Sequence, residues 1–277
     1  MDVMVRRKPY TGRVQAVVLD WAGTAVDYGS IGPLAVFIEV FARYGVAVTP
    51  AEARAPMGLM KKDHIRAICG TEAVSQRWIR VHGRPPVEDD VTAMYREMEP
   101  LMTEMVARHA DPIPGLVEAV AALREAGIKI GSTTGYTRPM MEALIPAAAD
   151  RGYRPDSIVC SSDVPAGRPY PWMCYLNAIH LQVHPFAAMV KIGDTPADIH
   201  EGLNAGMWTV GVVKTGNELG LSEAEVAALA EEDLRQRLEG AEKRLRHAGA
   251  HFLAEDVGHC PGIIEQINIY LARGERP

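Results

Sequence analysis

The sequence predicts an α/β protein: a Rossmann-like, doubly wound parallel sheet core with an inserted helical cap domain. Three observations lead there. Short apolar, β-branched runs recur along the chain, separated by helical patterns. Several of these runs end in carboxylate or hydroxyl residues. One long interval after the first run is helical by periodicity and holds no convincing strand. Strands alternating with helices imply βαβ units and a mostly parallel sheet, and right-handed crossovers place helices on both of its faces.

The first run, Val14 to Leu19 (VQAVVL), is short, apolar and β-branched, as a strand buried on both faces should be. It ends in Asp20-Trp21-Ala22-Gly23-Thr24. Later runs are Ile128–Ser132, Ser157–Cys160, Met189–Ile192 and Trp208–Val213. Helical patterns span Gly115–Ala126 and Thr137–Ala149. The interval from about Tyr28 to Ala110 differs. Thr49-Pro50-Ala51-Glu52 reads as a helix start, with Thr as N-cap, Pro in the first turn and Glu at the capping-box position. Pro85-Pro86 breaks the pattern, which resumes over Met94–Arg108. The simplest organisation is a core of residues 1–27 and 111–277, with a helical cap of residues 28–110 inserted after the first strand. Residues 222–249 are charged and rich in Ala and Leu, which predicts a surface helical segment.

Composition narrows the function. Lys and Arg total 29 against 35 Asp and Glu, a net charge of −6, which argues against a nucleic-acid partner. A small anionic substrate stays open, because a local pocket can be basic on an acidic protein. Cys69, Cys160, Cys174 and Cys260 form no C-x-x-C pair and no zinc spacing, as expected of buried thiols in a reducing compartment. No apolar stretch approaches the ~20 residues that cross a bilayer. The N-terminal MDVMVRRKPYTGR is basic but lacks the apolar region of a signal peptide. A cytoplasmic enzyme without membrane or nucleic-acid partners is expected.

In an open α/β sheet, ligands bind beyond the carboxyl ends of the strands. Asp20 follows the first run, Thr133-Thr134-Gly135-Tyr136 the second, and Asp194-Thr195-Pro196-Ala197-Asp198 the fourth, with Gly167-Arg168-Pro169 between the third and fourth. Carboxylates with few soft ligands suit Mg²⁺. An arginine and turn amides suit the rest of a phosphoryl group. Alone, Asp20 could equally be a helix cap.

The order D-W-A-G-T, S-T-T-G, G-R-P-x-P and G-D-T-x-x-D resembles the four motifs of the haloacid dehalogenase superfamily. The resemblance implies that Asp20 is a nucleophile forming an aspartyl phosphate and that Thr134 binds phosphate, with Gly135 beside it. It places Arg168 where many members have lysine. It also implies that Asp20, the Ala22 carbonyl, Asp194 and Asp198 hold or orient Mg²⁺, Asp198 either ligating directly or orienting other ligands. Most phosphatases of the superfamily carry a second aspartate, a general acid, where this chain has Ala22.

The insertion carries A-P-M-G-L-M-K-K-D-H (55–64). Together with D-W-A-G-T-x-V-D-Y-G, G-S-T-T-G-Y-T-R and A-G-R-P-Y-P-W-M-C-Y, it resembles the phosphonoacetaldehyde hydrolase family. There a cap lysine, here Lys61, forms an imine with the substrate aldehyde, with Met57 and His64 as its neighbours and Tyr136 as a site contact or a packing residue against the cap. The resemblance also implies a homodimer formed through the cap. Lys61 and His64 are three apart and would share a helix face. The imine accounts for the absent acid: cleavage of a P–C bond leaves a carbanion, for which an iminium is an electron sink. Lys61 must be partly neutral to attack a carbonyl, and desolvation and the neighbouring Lys62 charge are both expected to lower its pKa. The alternatives are another phosphatase or sugar-phosphate mutase of the superfamily, and a non-catalytic phosphate-binding protein of the same fold.

Overall fold

The computed structural model describes residues 9–277; the first eight residues of the core segment, and with them most of the basic N-terminal stretch, lie outside the described residues. Six strands form one sheet: β1 (Ala16–Leu19), β2 (Lys129–Thr134), β3 (Ser157–Cys160), β4 (Met189–Gly193), β5 (Trp208–Val212) and β6 (Phe252–Ala254). All pair in parallel, in the order β3-β2-β1-β4-β5-β6. The strand order therefore reverses between β1 and β4, which opens a crevice beyond their carboxyl ends.

β1 shows why the sheet is covered on both faces. Its alternation sends Val17 and Leu19 into the largest apolar cluster. Ala16 and Val18 point the other way, into a cluster with Cys174, Ala178 and Leu181.

Two sheet readings need correction. β2 begins one residue later than expected and runs on through Thr133 and Thr134, although neither is apolar. Their burial is tolerated because the hydroxyls are bonded sideways: the Thr133 hydroxyl donates to Glu201 Oε2 at 3.1 Å, and Thr134 Oγ1 accepts the Tyr136 amide at 3.1 Å. β6, which the sequence reading missed, is a three-residue edge strand only partly buried, too short to show a periodicity.

Between β1 and β2 lie α1 (Ile31–Arg43), α2 (Pro50–Arg54), α3 (Lys61–Gly70), α4 (Glu72–His82) and α5 (Glu88–Arg108), followed by α6 (Leu116–Glu125). Thr49 caps α2 in a capping box with Glu52. α5 begins six residues before Met94, its first turn carrying Glu88, Asp89 and Asp90 at the positive end of the helix dipole. The chain enters and leaves this helical unit side by side, for Asp27 N donates to Asp111 O at 3.3 Å. The unit shares its core with the sheet: Met94, Met98 and Met102 of α5 lie in the same cluster as Leu19 and as Met140 and Leu144 of α7 (Arg138–Asp150).

The remaining helices are α8 (Trp172–Leu181), α9 (Pro196–Ala205), α10 (Glu223–Ala228), α11 (Glu231–His247) and α12 (Cys260–Ala272). α10 and α11 account for the charged 222–249 segment and bury only Val226, Ala241 and Leu245. Among the described residues, no helix is long and apolar enough to cross a membrane.

Candidate active site

The carboxyl ends of β1, β2 and β4 converge on one small cavity of about 20 Å³, room for little more than one water. Asp20, Ala22, Thr134, Gly135 and Arg168 line it from the sheet side; Met57, Gly58 and Lys61 line it from the helical unit, and Tyr136 closes the wall. The fit is tight: a Cβ on Gly135 would stand 2.6 Å from Leu59 O, and one on Gly58 2.5 Å from Thr195 Oγ1.

The sheet side is a buried charge network. Arg168 donates from Nη2 to Asp20 at 2.6 Å and from Nε to Glu201 at 2.9 Å, and lies 3.1 Å from Asp198. Lys191, wholly buried, donates to Asp198 at 2.7 Å and stands 3.7 Å from Glu201. Asp194 accepts from the Thr24 hydroxyl at 3.0 Å and from the Asn217 amide at 2.7 Å. Carboxylate oxygens of Asp20, Asp194 and Asp198 all lie within 4.8 Å of one another.

Burial, with Asp20 and Asp198 as like charges, raises the Asp194 pKa well above the ordinary carboxylate range. Burial also works against the charge on Asp198, but Arg168 and Lys191 more than offset it and hold that group low. Four buried carboxylates, Asp20, Asp194, Asp198 and Glu201, thus stand against three buried cations, Arg168 and Lys191 within the network and Lys61 across the cavity. A bound metal cation would offset the surplus negative charge, so the acidic cluster fits a metal on charge as well as on donor type.

The three aspartates are not equivalent. Both Asp198 oxygens are engaged, one by Lys191 and Arg168, the other by the Thr195 amide and hydroxyl in the capping box of α9. Asp20 has one oxygen on Arg168, and Asp194 is held by a single donor on each oxygen. Asp20 therefore keeps one oxygen free and Asp194 carries one donor on each, whereas both Asp198 oxygens are fully engaged.

The helical side is built differently. Lys61 opens α3 and is 5% exposed. Its ammonium lies 4.5 Å from the Tyr136 ring centroid and 5.6 Å from that of Phe37, with no carboxylate at ion-pair distance among the described residues. Burial lowers its pKa to about 8; Asp20 pulls it back up, and Arg168 adds to the fall. This corrects the expectation that Lys62 contributes: Lys62 pairs with Glu88 at 2.9 Å.

His64 shares the buried face of α3 with Lys61 but does not line the cavity. It stacks on Phe37 at 3.7 Å, and its Nε2–H donates to Ala53 O at 2.7 Å. Burial, and after it the Lys61 charge, presses its pKa to about 3, so it is neutral at physiological pH. Ala22 lines the cavity where an acid was noted as missing, and Asp20 is the one carboxylic acid in the lining among the described residues.

The sequence reading missed Lys191, Glu201 and Asn217. Lys191 had a signal, a lone lysine inside an apolar strand, which is rarely buried unless paired. Glu201 lies one helical turn after Asp198 and so faces the same side. Asn217 acts through its backbone N–H, which carries no sequence signal.

The family profile of haloacid dehalogenase-like hydrolases matches residues 14–206. A phosphonoacetaldehyde hydrolase-like protein of Syntrophobacter fumaroxidans is 62% identical over the full length of both chains. A phosphonoacetaldehyde hydrolase of Nitratidesulfovibrio vulgaris is 55% identical over all of this chain and 99% of its own. The crystal structure of a phosphonoacetaldehyde hydrolase-like protein from Oleispira antarctica superposes over both whole chains with a TM-score of 0.96 at 40% identity.

Proposed function

We infer that this chain, which belongs to the phosphonoacetaldehyde hydrolase family of the haloacid dehalogenase-like hydrolases, hydrolyses the carbon–phosphorus bond of phosphonoacetaldehyde to acetaldehyde and phosphate. The observation that carries this reading is the pairing in one cavity of a buried, low-pKa Lys61 with the Asp20–Arg168 pair, while Ala22 offers no acid.

Lys61 at a pKa of about 8 is about one-tenth neutral at pH 7, enough to attack an aldehyde. Loss of water from the adduct gives an iminium. Asp20 then attacks phosphorus, the P–C bond breaks, and its electron pair moves into the iminium to give an enamine. Water hydrolyses the aspartyl phosphate at Asp20. The enamine takes a proton on carbon and is hydrolysed, releasing acetaldehyde and restoring Lys61. Arg168 orients Asp20 and offsets phosphoryl charge, with Thr134 and the Gly135 amide around the remaining oxygens.

Asp20, Asp194 and the Ala22 carbonyl would hold Mg²⁺, with Asp198 orienting them, and the cation would lower the charge barrier at phosphorus. Met57 packs beside the imine. His64, neutral, enters as a neighbour that adds no charge next to Lys61 rather than as a proton carrier. Tyr136 supplies the aromatic face under the Lys61 amine.

A cavity of about 20 Å³ cannot admit the substrate. Residues 28–110 therefore open as a cap over the core of 1–27 and 111–277, then close to exclude water. The same reading takes the protein as a cytoplasmic homodimer joined through the cap; the four unpaired buried cysteines fit a reducing compartment. The test is release of acetaldehyde and phosphate in equal amounts from phosphonoacetaldehyde, with and without Mg²⁺. No release in either condition would overturn the assignment.

A further inference from the structure

Arg54, at the end of α2, ties the helical unit to the loop that follows β5. Its Nη1 donates to Gly29 O at 2.8 Å and to Asn217 Oδ1 at 3.1 Å; its Nη2 donates to Gly220 O at 2.9 Å. Asn217 Nδ2 answers by donating to Arg54 O at 3.4 Å. Among the described residues Arg54 has no carboxylate at ion-pair distance, so its guanidinium works as a geometric fork rather than as a salt bridge. Lysine could not reproduce that fork.

The loop is shaped to receive it. Gly220 has φ +68°, and a Cβ there would stand 2.8 Å from Arg54 Nε. The same loop wraps Asp194: a Cβ on Gly216 would meet the Asp194 side chain at 2.5 Å, and the Asn217 amide donates to Asp194 Oδ2 at 2.7 Å. One asparagine thus faces two ways, its side chain toward the helical unit and its backbone toward the acidic cluster.

We propose that Arg54 is a positioning residue that couples closure of the helical unit to the orientation of Asp194, acting through Asn217. With the unit closed, the guanidinium pins the loop and the Asn217 N–H holds the Asp194 carboxylate. With the unit open, the loop loses its two acceptor contacts with Arg54, at Asn217 Oδ1 and Gly220 O, and Asp194 loses its fixed aim. The proposal rests on the reading that the unit opens and closes over a metal-dependent site.

The test compares wild type, Arg54→Lys, Arg54→Met, Asn217→Ala and the Arg54→Met/Asn217→Ala double variant as full-length protein. Three measurements are made: deuterium exchange of the peptide spanning residues 214–221, Mg²⁺ binding by calorimetry with the metal alone, and steady-state turnover of phosphonoacetaldehyde. In Arg54→Lys and Arg54→Met, exchange of that peptide should speed up and Mg²⁺ binding should weaken about 10- to 100-fold. Their kcat should fall by a similar factor with KM changed less, while Tm stays near wild type. The double variant should be no worse than Arg54→Met, because the two residues act in series. If Arg54→Met fails to fold, Arg54→Lys decides. Wild-type exchange and Mg²⁺ affinity in Arg54→Lys, or losses that multiply in the double variant, would overturn the proposal. Exchange and metal binding need no substrate. A wild type inactive on phosphonoacetaldehyde would therefore sink the assigned reaction and leave these two readouts to decide the role of Arg54.

Discussion

Two buried lysines stand on opposite sides of the cavity and carry opposite charge tendencies. Lys191, in the middle of β4, has Asp198 at 2.7 Å and Glu201 at 3.7 Å; burial pushes its pKa down, yet these carboxylates carry it above the usual lysine value. Lys61, at the start of α3, meets two aromatic faces instead, and burial brings it to about 8. Depth alone does not decide whether a lysine is a permanent charge or a nucleophile; the partner does. The sheet holds the lysine whose charge is kept, and the inserted helical unit holds the lysine whose pKa is lowered.

The largest effect should come from removing the reactive amine while keeping a cation. Lys61→Arg should lower turnover of phosphonoacetaldehyde below about a thousandth of wild type, since a guanidinium is always protonated and forms no imine. Retained turnover would erase the distinction between the two lysines.

Stability should respond in the opposite order. Lys191→Met leaves Asp198 and Glu201 sharing Arg168 as their remaining buried counter-charge and should cost about 3–5 kcal/mol in urea unfolding. Lys61→Met should be near neutral or stabilising at pH 7. The folded pKa of Lys61 lies below its unfolded value of 10.5, so its protonated form opposes folding below about pH 8. That penalty fades as pH rises toward 10.5. Equal losses in the two variants would contradict the comparison.

A pH profile sharpens it further. The rate of imine formation should climb about tenfold per pH unit as the neutral fraction of Lys61 grows, and flatten above about pH 8. Acid should act elsewhere. His64 is neutral when folded, with a pKa of about 3, against 6.5 for an ordinary histidine. The unfolded chain therefore binds the extra proton between those values, and stability should fall by about 1.4 kcal/mol per pH unit as pH drops through that window. A His64→Asn variant should lose that dependence.

The smallest effect is expected at Ala22. Ala22→Asp should not improve phosphonoacetaldehyde cleavage, because the iminium is already the electron sink, and it adds a negative charge beside Asp20. Wild type should turn over simple phosphate monoesters only weakly. A substrate panel on both proteins checks this, and comparable rates on esters would favour a general phosphatase.

The layout of the sheet and the ends of its strands were legible in the sequence because buried parallel strands read as apolar runs that stop at their functional residues, as at Leu19-Asp20 and Gly193-Asp194. β2 outran its expected end because Thr133 and Thr134 are polar residues buried by hydrogen bonds, which hydropathy does not register. Lys61 stands at the start of a charged stretch, KKDH, and nothing in its periodicity marks it as the buried one of two adjacent lysines. Only the family resemblance singled it out, and the two rings around it come from residues 24 positions before and 75 after. Lys191 and Glu201 were passed over because a single polar residue within an apolar strand, or on an ordinary helix, has no motif. Their meaning lies in a contact with Arg168 and Asp198 that only the folded chain supplies.

The central claim is that Lys61, not its buried counterpart, is the covalent amine. Borohydride added during turnover of phosphonoacetaldehyde, followed by proteolysis and mass spectrometry, tests it directly. Reduction should abolish activity and leave a reduced two-carbon adduct on Lys61 and none on Lys62, Lys129 or Lys191. An adduct on any of those three with Lys61 unmodified, or full activity after reduction in the presence of substrate, would contradict it.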